Sequence, residues 1–126
     1  MRYVSVEDFL MGRIKAEELT PEQTGNMNTL IPAVNQFLEV FGSYRNVNSG
    51  YRSPAINAAT PGAAPQSKHL ICAAVDLEDA DAKLHAFARN NTLLLEELGL
   101  WCEERQGGWL HLQCLPPRSG KRFFKP

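Results

Sequence analysis

Apolar positions along the chain recur at two periods. Met27, Leu30, Ile31, Val34, Phe37, Leu38 and Phe41 recur at the spacing of a helix with one buried face. Thr20 predicts the N-cap of that helix, Pro21 occupies its first position, Gln23 completes a capping box, and Gly42 closes the run. Pro32 falls inside it and removes one backbone donor, so a kink is expected there. "SVEDFLM", residues 5–11, predicts a short helix capped by Ser5. Residues 79–89 predict another, with Leu84, Phe87 and Ala88 inward. "NTLLLEELG" predicts one more, started by Asn91 or Thr92 and stopped by Gly99.

Between and after these helices the period shortens to that of strands. "AAVDLE" is a compact apolar run, "GLWCEE" and "GWLHLQCL" flank the hairpin signal "RQGG", and "RFFKP" suits an edge strand. Residues 46–67, with Pro54, Pro61, Gly62 and Pro65, predict mostly loop, and a long loop in a compact domain is usually functional or disordered. Helices followed by short strands imply an α+β fold, a helical N-terminal half packed on a small antiparallel sheet. At 126 residues, one domain over 1–126 is expected.

Composition narrows the function classes. Thirteen basic and 14 acidic residues leave a formal charge of −1, which gives no electrostatic reason to expect a nucleic-acid partner. The one basic cluster, Arg118, Lys121, Arg122 and Lys125, has the look of a solvated face. No stretch approaches the roughly 20 apolar residues that span a bilayer, so no membrane insertion is expected. The first residues lack the apolar core and cleavage site of a signal peptide, so the expected location is the cytoplasm unless something releases the chain. Monomer is the default state. Cys72, Cys102 and Cys114 form an odd set without CxxC spacing, which argues against a disulfide scaffold or zinc ribbon and for small buried side chains. His85 lies in a helical run with no acid or histidine at metal spacing and predicts a partly exposed helix residue.

Candidate chemistry concentrates in "SKHLICAAVDLED" and "GGWLHLQ". Strand alternation puts Trp109, His111 and Gln113 on one face of the latter. Asp76 ends an apolar run, where a carboxylate needs a cation or donors to compensate its burial. His69 precedes that run. Two imidazoles and one carboxylate are a ligand set zinc accepts, with a position left for water. Spacing alone does not separate such a site from three unrelated polar residues.

"SKHLICAAVDL" resembles the S-x-H-x-x-G-x-A-x-D motif of the zinc D-alanyl-D-alanine peptidases, a group that includes phage L-alanyl-D-glutamate endolysins. "GGWLHLQ" is similar to their aromatic–aliphatic–His–aliphatic strand, and "SGYRSPAIN" to the SGYRS segment before the first histidine. The resemblance covers about 70 residues in the family's order and implies the hedgehog/DD-peptidase fold. It implies one zinc ion on His69, Asp76 and His111, with Arg52 steadying the substrate carbonyl and Ser67 hydrogen-bonding near the site. The implied reaction is hydrolysis of a peptide bond in the stem or cross-link of peptidoglycan, by a phage- or prophage-encoded enzyme that reaches the wall after release or as part of a phage particle.

Two departures matter. Many members carry an acid three residues before the last histidine, where this chain has Gly108. Other branches place it on the preceding strand, so "LWCEE" favours Glu103, with Glu104 as the alternative; alternation lets only one of them face the metal. Cys72 replaces the glycine of the first motif, which implies an ordinary backbone at this point. A Cys72 thiolate as fourth ligand would close the water position. These departures sustain a rival reading, a zinc-bound but non-hydrolytic structural or wall-binding part of a phage tail or lysis apparatus.

Overall fold

In the computed structural model, residues 1–104 and 107–126 are described. Helix α1 (Val6–Leu10) opens the chain, and Ser5 and Asp8 form a reciprocal capping box at its start. Helix α2 (Pro21–Phe41) begins with the Thr20–Gln23 box and ends at Gly42 in the left-handed region, φ 102°. It runs as one α-helix through Pro32, with no break in its assignment. Pro32 is exposed, so water can take the carbonyl partner that its missing N–H gives up.

The remaining elements are β1 (Val47–Ser49), α3 (Pro54–Ala59), β2 (Ala74–Glu78), α4 (Lys83–Asn90), α5 (Thr92–Leu98), β3 (Trp101–Glu103), β4 (Trp109–Gln113) and β5 (Phe123–Phe124). The strands form one sheet in the order β1-β2-β4-β3-β5. Leu77 of β2 and Leu110 and Leu112 of β4 point into a core with Leu30, Val34, Phe37 and Leu38 of α2, joined by Leu84 and Leu95 from α4 and α5. Phe87 stacks on Phe37 at 5.3 Å and meets Phe41 edge-on. The other face of β2 and β4 is left for polar side chains. Among the described residues no helix is long and apolar enough to cross a membrane.

The structure corrects three expectations and refines a fourth. The sheet is mixed, because β5 pairs with β3 in parallel. The segment 46–67 is mostly loop, as expected, and within it lie β1 and α3; Ser53 caps α3 by accepting from the Ile56 N–H, and Pro54 starts it. Helix α4 begins at Lys83 rather than 79, because Asp79 is its cap from outside: its two carboxylate oxygens accept the Leu84 and His85 N–H groups at 2.9 and 3.0 Å. His85 is buried, its Nε2 accepting from Arg89 Nε at 3.3 Å. The hairpin read at "RQGG" includes residues 105 and 106, which lie outside the described residues; the antiparallel pairing of β3 with β4 on either side is present.

The N-terminal helix bears directly on the loop that precedes α3. The Tyr51 N–H donates to the Phe9 carbonyl at 3.0 Å, and Arg13 Nη1 donates to the Tyr51 carbonyl at 2.8 Å. A Cβ on Gly50 would stand 2.1 Å from that same Phe9 oxygen, so only glycine lets α1 approach. Gly50→Ala is expected to destabilise the protein by about 1–3 kcal/mol through overpacking. Urea unfolding of the two proteins checks it, and an unchanged midpoint would show the approach to be slack.

Candidate metal centre

Three elements bring His69, Asp76 and His111 together. Residues 68–71 form a single 3₁₀ turn capped by Ser67, whose Oγ accepts the His69 N–H at 3.2 Å. Helix α2 pins that turn: Gln23 and Asn26 donate to the carbonyls of Leu70 and Ile71, each at 3.0 Å. Asp76 sits mid-β2 and is the direct cross-strand partner of His111 on β4, so both project from the polar face of the sheet. Their potential ligand atoms, with that of His69, all lie within 4.8 Å of one another.

The hydrogen bonds fix which ring nitrogens face the centre. His69 Nδ1 lies 2.8 Å from the Gly50 carbonyl, which only accepts, so Nδ1 carries the proton and Nε2 turns its lone pair inward. The Gln113 amide nitrogen donates to the Leu115 carbonyl at 2.8 Å, which leaves its oxygen facing His111 Nε2 at 2.9 Å. Nε2 is therefore the donor, and His111 Nδ1 is the inward atom. Asp76 Oδ1 lies 2.9 Å from His111 Nδ1 and 3.3 Å from His69 Nε2. Ligand atoms at about 2.0–2.1 Å from one tetrahedral ion stand roughly 3.3 Å apart, close to the two Asp76 distances, so the three groups can close on one zinc ion. Burial pushes the Asp76 carboxyl up, but hydrogen bonds and charge from His111 and His69 outweigh it and hold it well below the usual carboxylate range. Burial likewise pulls His111 down, but the Asp76 bond and charge and the Gln113 bond leave it raised.

Arg52 is buried beside the triad. Its Nη2 donates to Asp76 Oδ2 at 3.3 Å, its Nε to Ser49 Oγ at 3.1 Å, and its Nη1 to Asn57 at 3.4 Å. Ser49 is the β1 partner of Asp76, so the strand aligns the guanidinium with the carboxylate. The centre opens on a cleft of about 1070 Å³ that Arg52, Ser67, Gln113, Glu103 and Trp109 also line. The two candidate acids separate here. The β3–β4 register, carried one residue beyond Cys102 and Leu112, sets Glu103 beside His111 and on its face. Glu104 points elsewhere and takes a 3.0 Å ion pair from Arg89. Gly108 has φ +90°, a conformation in which an acidic side chain would be strained.

Cys72 corrects another expectation: its backbone is left-handed, φ 61°, ψ 28°. The turn that carries His69 must enter β2 within two residues, and the Cys72 and Ala73 N–H groups close it on the His69 and Lys68 carbonyls. The side chain is fully buried in the core cluster and outside the metal-ligating group, which removes it as a fourth ligand. Asn57, the Gly50 carbonyl and Phe124, whose ring meets His111 edge-on at 6.1 Å, complete the surroundings. Spacing gave no signal for them, because each reaches the centre only through the fold.

Helices over a sheet that holds a His–Asp–His set in an open cleft form the framework of a metallopeptidase. The family model described as Peptidase M15 matches residues 4–113, and the chain belongs to that family of zinc peptidases. Neither a curated protein nor a solved structure matches it.

Two measurements follow from the centre. Elemental analysis after zinc loading and desalting should find one zinc per chain, and Gln113→Leu should weaken zinc binding about 10–100-fold by releasing the His111 ring. Burial pushes the Cys72 thiol up to about 11 and, with Glu103 next, the Cys102 thiol up to about 12. Both should therefore resist alkylation at pH 8 in the folded protein, with or without zinc, and react once it is unfolded. Protection of Cys72 that appears only with zinc would restore it as a ligand.

Proposed function

We propose that the protein is a zinc-dependent peptidase that cleaves a peptide bond in the stem or cross-link of peptidoglycan, with Glu103 as its proton carrier. The observation that carries this reading is the convergence of His69, Asp76 and His111 with Glu103 and Arg52 on one cleft. A zinc ion held by the triad would supply Lewis acidity, lowering the pKa of a water and polarising the scissile carbonyl.

The chain's own residues account for the remaining chemistry. Arg52 is held on three sides by Ser49, Asn57 and Asp76 and keeps further N–H groups for the carbonyl oxygen as negative charge grows on it. Glu103 accepts a proton from the attacking water as the new C–O bond forms. When the C–N bond breaks, it returns that proton to the departing amine, so one carboxyl serves as base and then acid. His69 and His111 stay in the tautomers set by Gly50 and Gln113 throughout. The biological setting that goes with this reading is lysis or entry, in which a phage- or prophage-encoded enzyme meets the wall after release or on a particle.

The test compares purified walls and synthetic stem peptides as substrates for the zinc-loaded protein. Glu103→Gln is expected to lower kcat by about 10²–10⁴-fold while retaining zinc. Glu104→Gln should change it less than threefold, since its partner Arg89 lies outside the cleft. Equal losses in the two variants would reassign the proton carrier. No cleavage by the zinc-loaded parent across walls of several chemotypes would leave the non-hydrolytic role instead.

A further inference from the structure

The family match ends at residue 113, yet the cleft continues beyond it: Pro117, Arg118, Ser119, Phe124, Lys125 and Pro126 form part of its lining. This wall is tied to the catalytic face. Strand β5 runs parallel to β3 with Glu103 opposite Phe124, and the Glu104 N–H donates to the Phe124 carbonyl at 2.7 Å. Lys125 follows immediately. The Phe124 ring covers His111, so the segment carrying the cations is packed on a ligand of the centre.

Charge around the cleft is uneven. Among the described residues its acids are Asp76 and Glu103, both placed in the centre or its proton path. Besides Arg52, its cations are Lys68, on the turn that carries His69, and Arg118 and Lys125 on the added wall. None of these three is held in an ion pair among the described residues. Arg122, from the same basic stretch, shows the contrast: its guanidinium lies over Trp101 at 4.4 Å and donates to the Leu100 carbonyl, so it is structural. The sequence alone made the whole stretch a solvated face; the fold turns two of its members toward the cleft.

We infer that Arg118 and Lys125, which line the same cleft as Lys68, form a subsite for a carboxylate of the substrate peptide away from the scissile bond. This rests on the peptidase reading for its substrate class. Two carboxylates of a stem peptide share the required chemistry: the free α-carboxylate left by a γ-linked glutamyl residue, and the carboxylate at the end of the peptide. Exposed cations along the wall of a cleft favour such a charge over its neutral amide and steer its approach.

The test measures binding, so it does not depend on turnover. Fluorescence polarisation would follow labelled stem peptides on zinc-loaded Glu103→Gln protein, with the glutamyl α-carboxylate free or amidated in one arm and the terminal carboxylate free or amidated in the other. Amidation of one of the two is expected to weaken binding on the order of tenfold, and the arm that responds identifies the source. In the same protein carrying Arg118→Gln and Lys125→Gln, that ratio should fall toward one, while Arg118→Lys with Lys125→Arg should retain it. Zinc content and circular dichroism confirm that the exposed substitutions leave the fold intact. Indifference to amidation in both arms, or a ratio unchanged by the double glutamine variant, overturns the subsite. Absence of hydrolysis by the parent bears on the peptidase reading alone.

Discussion

A carboxylate buried in the middle of a sheet is tolerable only when something answers its charge, and the polar half of this protein is built around one such group. Asp76 is 8 % exposed and stands between two imidazoles and a guanidinium. Each of those partners is itself held from a different direction. The Gly50 carbonyl fixes His69, Gln113 fixes His111, and Ser49 and Asn57 fix Arg52. Against the pull of burial, the Asp76 hydrogen bond and charge keep His111 raised above its ordinary value.

The helical half makes this arrangement rigid. Helix α2 buries one face in the core and, at the N-terminal end of that same face, uses Gln23 and Asn26 to hold the turn that presents His69. Helix α1 and the turn after it reach the same loop system from the opposite end, with Phe9 and Arg13 on the backbone of Tyr51. The ligands therefore sit on a β-strand pair and a pinned turn, elements whose positions are set by hydrophobic packing some distance from the chemistry. A site placed on rigid elements in this way can hold ring orientations that a flexible loop would not.

Much of this was legible in the residues. The capping signals of α1 and α2 and the 3.6-residue stripe of α2 are local rules, and they hold in the structure. Alternation in "GWLHLQ" correctly placed Trp109, His111 and Gln113 on the polar face. Single-residue geometry and pairing across the fold were not legible. Cys72 adopts the left-handed conformation that its glycine counterpart would favour, because the turn demands it whatever residue stands there. Three residues of β1 are too few to show a period, and its role is to bring Ser49 beside Asp76. The parallel pairing of β5, the burial of His85 beneath Arg89 and the turning of Arg118 and Lys125 toward the cleft all depend on long-range contacts that no local pattern encodes.

The position of the acid shows how backbone geometry steers chemistry. Three residues before His111 the chain is in the conformation of Gly108 at φ +90°, and the Gly108 carbonyl accepts from the Asp79 N–H at 2.8 Å. That bond ties the end of the hairpin to the residue that caps α4, so the local backbone is committed to structure. A side chain needed on the His111 face must then come from a neighbouring strand. Cross-strand partners share a face, and the β3–β4 register makes Glu103 the residue beside His111, while Glu104 falls on the other side against Arg89. The glycine at 108 and the glutamate at 103 are thus two consequences of one hairpin geometry.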